Sequence, residues 1–168
     1  MKTQLTAEES AKLIELGVSP ERASMCLLNL DYDSEVIPCE DVWEENGRLL
    51  ANVNDEVIDV DRKIVTKDSD FDHSYANDNP IFTLADLVSL LPKKITFGHR
   101  TDCRLKLQPI VSSKDRISEV WQACYLHTSL KANAEAPELI DALYALLVWC
   151  LEKGLCETKL RVYDYDHD

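Results

Sequence analysis

The chain has 168 residues, 45% of them hydrophobic and 7% aromatic, with a formal net charge of −13 at pH 7; that is enough apolar material for the core of one ordinary domain. Fifteen acidic residues fall between Asp31 and Asp78 against Arg48, Arg62, Lys63 and Lys67, so this stretch carries −11 while residues 1–30 and 79–168 carry −1 each. A field so local repels phosphate, which argues against direct nucleic-acid binding and for an interaction surface that attracts a basic protein.

The opening Met1–Leu5 runs straight into an amphipathic pattern without an apolar leader, and no stretch of about 18 apolar residues exists to span a bilayer. The expectation is a cytoplasmic protein with no membrane partner. Thr6 as N-cap and Glu9 three residues on form a capping box for a first helix, ended by Gly17. Ser19-Pro20-Glu21 followed by Ala23, Met25, Cys26, Leu27, Leu28 and Leu30 predicts a second short helix. The pair has the outline of a helix-turn-helix, but Lys2, Lys12 and Arg22 are too few cations to anchor on phosphate.

From Val36 to Val65 the pattern becomes β-like: Val42-Trp43, Leu49–Val53, Val57–Val60 and Ile64-Val65, broken by Asn46-Gly47 and Asn54-Asp55, a hairpin signal. Lys67–Pro80 is polar and reads as a surface loop. Thr83 and Asp86 start a third helix that Pro92 stops. Ile95–Phe97, Arg104–Val111 and Ile117–Leu126 read as strands, and Pro137–Lys153 as a long helix. Its stripe of Leu139, Leu143, Leu146, Leu147 and Cys150 is widened by Tyr144, Val148 and Trp149, so it is either sandwiched between layers or forms a subunit contact. The fold class expected is α+β: a two-layer α-β-β-β-α core over 81–160, an N-terminal helical pair over 1–30, an acidic β-hairpin-rich region over 31–80 and an acidic tail over 161–168.

The run Ile81–Pro92, the helix Glu138–Gly154 and the opening Leu5–Ser10 with Leu13–Val18 resemble small uncharacterised proteins of gut Bacteroidales and of their phages or prophages. The resemblance covers about half of the chain and rests on packing motifs. It implies a phage or mobile-element context, in the cytoplasm of a bacterial host or in a virion, and no particular chemistry. The Asp31–Asp78 region is longer than that resemblance leads one to expect and reads as an insertion.

Few residues are arranged for catalysis. Asp68, Asp70 and Asp72 alternate as in a calcium loop, but His73 stands where the sharp turn needs glycine and Asn79 where the closing glutamate belongs, so a solvated loop is the better reading. Cys124 and His127 lack further zinc ligands. Cys150 and Cys156 are too far apart for a Cys-x-x-Cys pair, and the six cysteines are read as reduced, several of them as core thiols. Gly-x-Ser-x-Gly is absent, and His73, His99, His127 and His167 stand without an attached motif. The four glycines are all explained as turns or helix ends, which leaves no phosphate-cradling loop. No cofactor, no metal site and no enzyme activity are expected.

Two charged groups remain. Lys93, Lys94, His99, Arg100, Arg104 and Lys106 form a basic cluster that suits an anionic ligand or the chain's own acidic segment, in the same or a second copy. Glu40, Asp41, Glu44 and Glu45 surround Trp43, with Asp55 and Glu56 close behind, and these seven are the residues expected to contact a basic protein. A homo-oligomer built on the broad face around Leu146–Trp149 and the Tyr163–Asp168 tail is the alternative, and a divalent-metal enzyme on the Asp68–Asp78 loop ranks last.

Overall fold

The computed structural model describes residues 1–29, 34–59, 80–97, 100–126 and 132–156. It is a mixed α+β fold: among the described residues there are three α-helices, two single 3-10 turns and three small antiparallel sheets. The calcium-like aspartates, the four histidines, Ile64-Val65, most of the Lys67–Pro80 loop and the tail from Glu157 lie outside the described residues.

Helix α1 (Ala7–Glu15) begins as its residues dictate: Thr6 Oγ1 accepts from the Glu9 amide at 3.1 Å, and Glu9 Oε1 accepts from the Thr6 amide at 3.0 Å. Leu5, Leu13 and Val18 around it are fully buried. The Leu5 amide donates to Phe82 O at 2.9 Å, the Leu84 amide to Thr3 O at 3.0 Å and the Phe82 amide to buried Ser10 Oγ at 3.3 Å, so α1 is stitched to the middle of the chain.

Lys2 adds an ionic tie, its ammonium donating to Glu9 Oε1 at 2.8 Å and to Asp141 Oδ1 at 2.6 Å. Burial alone would raise the Glu9 carboxyl, but hydrogen bonds from Lys2 and Thr6 together with the Lys2 charge hold it below its ordinary value of 4.5. Burial alone would lower Lys2, and here the bonds and charges of Asp141 and Glu9 outweigh it and hold the ammonium above 10.5. A carboxylate depressed by folding stabilises fully above its unfolded pKa and loses that effect as the pH falls through the folded one; the raised ammonium stabilises fully below 10.5 and loses its effect above. Urea midpoints are therefore expected to fall as the pH drops below 4.5, and Glu9→Gln to flatten part of that fall while lowering the neutral-pH midpoint. Parallel acid limbs for the two proteins would refute the tie.

The second predicted helix is not formed. Ser19 caps a single 3-10 turn, Pro20–Arg22, after which Ala23 is extended and the chain enters strand β1 (Met25–Asn29). Cys26 and Leu28 are fully buried while Met25 and Leu27 are half-buried, a period of two rather than 3.6. Both edges of β1 find partners: β2 (Ser34–Pro38) on one, with Cys26 opposite Ile37, and β6 (Pro80–Ile81) on the other, with Cys26 opposite Pro80. That pairing overrides the helical propensity of Met and Leu.

After a 3-10 turn at Cys39–Asp41 come β3 (Val42–Glu45), β4 (Arg48–Val53) and β5 (Glu56–Asp59), a three-stranded meander in the order β3-β4-β5. Helix α2 (Leu84–Leu90) repeats the capping-box start with Thr83 and Asp86 and is closed by the Leu91 amide on Leu87 O. Strands β7 (Lys94–Phe97), β8 (Arg100–Val111), β9 (Glu119–Tyr125) and β10 (Asn133–Ala136) form a second meander in the order β10-β9-β8-β7. This is one strand more than the three expected, and β8 starts at Arg100, four residues before the Arg104 start expected from the sequence.

Helix α3 (Leu139–Glu152) lies across β9 and β10 and against α2. Ile140, Leu143, Leu146, Leu147 and Cys150 are at most 1% exposed, and Tyr144, Val148 and Trp149 pack half-buried on the same cluster, so the broad apolar arc is used inside the chain. Its end is a Schellman turn: Gly154, at φ 68°, donates to Leu151 O at 3.1 Å and Leu155 to Cys150 O at 2.9 Å.

Two cores divide the molecule. The larger joins α1, α2, α3 and the four-stranded sheet through residues of 5–23 and 82–156; the smaller holds Cys26, Leu28, Ile37, Val42, Leu49, Ala51 and Val53.

Candidate functional site

Of the described acidic residues, Glu44, Glu45, Glu56 and Asp59 lie on the three-stranded sheet, Asp55 at its second turn, and Glu40 and Asp41 just before it. Asn46 and Gly47 (φ 51° and 75°) and Asn54 and Asp55 (φ 52° and 65°) make two tight turns with both central residues left-handed, the geometry that matches strand twist. Val42, Leu49, Ala51 and Val53 point into the smaller core. The opposite face carries Trp43, with Leu50 directly across from it and Asp59 beyond, then Glu45 across from Arg48, and Asn52 across from Val57. Trp43 Nε1 donates to Glu45 Oε2 at 3.5 Å, and Arg48 Nε lies 3.7 Å from Asp59 Oδ2.

The seven predicted contact residues do not form one cluster. Glu44 and Glu45 stand at the Asn46-Gly47 end of the sheet; Glu40 and Asp41, in the 3-10 turn before β3, share the other end with Asp55 and Glu56 at the β4–β5 turn. Strand β3 separates the two groups by about 10–14 Å, at about 3.4 Å per residue. Trp43 is half-buried between them, while Glu40, Glu44, Glu45, Asp55 and Glu56 are exposed. Sequence reasoning missed Leu50, the cross-strand neighbour of Trp43, and Val57, which is 62% exposed on that face. The alternation Leu49 in, Leu50 out was the available signal once the Asn46-Gly47 register was fixed.

Of the basic cluster, Lys94 and Arg104 stand opposite each other on β7 and β8 with Lys106 two residues on, all exposed. Among the described residues no ion pair links Lys93, Lys94, Arg104 or Lys106 to the acidic sheet. Like charges directly opposite across a ladder are unfavourable, so this row is not explained by pairing within the described fold.

All six cysteines are free. Cys39 donates through Sγ to Ala23 O at 3.4 Å and packs on the smaller core that holds buried Cys26, while Cys156 packs on the larger core that holds buried Cys150. Buried Tyr125 donates through its hydroxyl to Pro92 O at 2.7 Å. Cys124 is fully buried, as expected of a core thiol. Asp115 is held at about 2 by bonds from the Ser118 hydroxyl and the Ile117 and Ser118 amides, which makes it a turn-former. Among the described residues no group of three or more His, Cys, Asp and Glu is arranged to hold a metal.

No family model, curated protein or solved structure matches the chain. The class that stands is an α+β protein with a separate acidic sheet. No helix among the described residues is long and apolar enough to cross a membrane.

Proposed function

We propose that the protein is a non-enzymatic accessory protein of a phage or mobile element that binds a basic protein partner through the β3–β4–β5 sheet. One observation carries this reading: the sequence from Glu35 to Asp59 holds eight carboxylates and a single base, Arg48, whose Nε lies 3.7 Å from Asp59 Oδ2. Such a field steers a cationic partner and makes association sensitive to salt. The Trp43–Leu50 row supplies an apolar strip in the middle of the charge, the arrangement that interface anchors take. The phage context rests on the resemblance of α1, α2 and α3. In the finer fold reading α2 and α3 form one layer on the strands, a rigid platform for the acidic sheet.

The alternative, self-assembly through the Leu146–Trp149 face of α3 and the Tyr163–Asp168 tail, is less favoured because Leu146 and Leu147 are buried in the chain's own core. An affinity-tagged chain retained from bacterial lysate at low and at high salt, beside a variant with Glu40→Gln, Asp41→Asn, Glu44→Gln and Glu45→Gln, tests the proposal. A basic protein is expected on the parent at low salt only. Exposed carboxylates each contribute below about 1 kcal/mol, so the four changes together weaken a purified complex by about 1–2 kcal/mol, roughly tenfold in affinity. Equal retention by parent and variant, or recovery of this protein alone, would sink the reading.

A further inference from the structure

Trp43 is the one aromatic residue of the three strands β3, β4 and β5. We propose that Trp43 and Glu45 form an arginine-selective anchor: a guanidinium of the basic partner lies against the indole and donates to the Glu45 carboxylate. The inference rests on the acidic-sheet reading above and names the side chain that this sheet takes.

The strand register builds the anchor. Trp43 and Glu45 are two residues apart on β3, so both stand on its outer face, where Leu50 lies across from Trp43 and Arg48 across from Glu45. Val42, Leu49, Ala51 and Val53 turn the other way, into the smaller core. In the order β3-β4-β5, β3 is an edge, so among the described residues the indole has a strand neighbour on one side only. That neighbour is half-buried Leu50, at about 5 Å between Cβ atoms for a directly opposed pair. Trp43 itself is half-buried, which leaves part of the indole to solvent.

Glu45 is left for a ligand because the one base nearby leans elsewhere. Arg48 Nε lies 3.7 Å from Asp59 Oδ2, on the diagonal towards β5, and among the described residues no ion pair joins Arg48 to Glu45, which it directly faces. Glu45 Oε2 accepts from Trp43 Nε1 at 3.5 Å. A bond that long is readily exchanged for a charge-assisted one of about 2.8 Å. It also brings one edge of the indole to the carboxylate, so that ring and charge serve the same ligand.

An aromatic surface with a carboxylate at its edge matches a guanidinium in both respects. The planar group stacks on the ring, and its fork of N–H donors reaches a carboxylate with two parallel bonds. An ammonium fits less well, being compact, strongly hydrated and without a plane to stack. Charge complementarity thus selects a base, and the indole selects which base.

Two fluorescein-labelled peptides of equal length and charge, with Gly-Ser spacers between arginines in one and between lysines in the other, are titrated with the full chain at low salt and followed by anisotropy. The arginine peptide is expected to bind about fivefold tighter, the scale of one exposed cation–π contact. Trp43→Leu should abolish that preference and leave the lysine peptide unchanged, and Trp43→Phe, which keeps a ring, should retain part of it. If Trp43→Leu does not fold, Glu45→Gln decides: Glu45 is exposed, and the change should weaken the arginine peptide more than the lysine peptide. Equal affinity of the parent for both peptides, or a preference for arginine undiminished in Trp43→Leu or Glu45→Gln, would overturn the anchor and leave the acidic sheet standing as a binding surface. Failure of both peptides to bind at low salt would overturn the anchor and the acidic-sheet reading together.

Discussion

Leu143→Ala is expected to cost about 3 kcal/mol of folding stability. Leu143 is 0% exposed in the middle of α3, facing the larger core where the four-stranded sheet and α2 converge. Truncation removes three methylene-sized groups from water-free packing and leaves a void that rigid neighbours on β9 and β10 do not fill; such changes range over about 2–5 kcal/mol. At about 2–4 °C per kcal/mol for a chain of this size the melting temperature falls by roughly 6–12 °C. Thermal and urea unfolding followed by circular dichroism measure it, and a loss below about 1 kcal/mol would mean that α3 is not central to the core. Truncation of Val57, 62% exposed on β5, is the contrasting control.

Asp86→Ala should rank next, at about 2–3 kcal/mol, although the residue is only half-buried. Its Oδ2 accepts from the Thr83 amide at 2.9 Å, which completes the α2 capping box, and also from Ser24, from the amide at 2.9 Å and from the hydroxyl at 2.8 Å. One carboxylate therefore starts a helix and fixes the entry to β1 across 62 positions of sequence. A lost cap costs about 1 kcal/mol, and each hydrogen bond to a charged group about 1.5 kcal/mol before solvent screening. Asp86→Asn keeps an acceptor oxygen and should lose about half as much. Ser24→Ala combined with Asp86→Ala should be less harmful than the two separate losses added, because they share the same bonds. Strict additivity would show that the bond from the Ser24 hydroxyl contributes nothing, the amide bond being retained in Ser24→Ala.

Much of this was readable one residue at a time. Thr6 with Glu9, Thr83 with Asp86, and Asn46-Gly47 are local devices whose geometry needs nothing beyond a few neighbours, and each is found where its spacing placed it. What failed depended on distant partners. The run Ala23–Leu28 was read as a helix because Met and Leu favour one, and it becomes a strand because β2 and β6 supply both edges. Strand β10, Asn133-Ala134-Glu135-Ala136, has almost no strand propensity and exists because β9 offers it a free edge. At the candidate surface the charge was legible and its arrangement was not. Glu40 and Glu45 are five residues apart, yet the strand between them puts them at opposite ends of the sheet.

The pairing of Cys26 with Pro80 has a consequence for how this chain can change. It is a neck: the backbone leaves the main body and returns beside itself, and among the described residues no side chain between Ser24 and Ile81 belongs to the larger core. Loop-closure cost grows only with the logarithm of length, so trading residues 27–79 for a turn of about five residues lowers it by about 2 kcal/mol and removes none of the described side chains of that core. The acidic sheet is in this sense a cassette. What hangs from the neck is therefore exchangeable in principle without refolding the larger core.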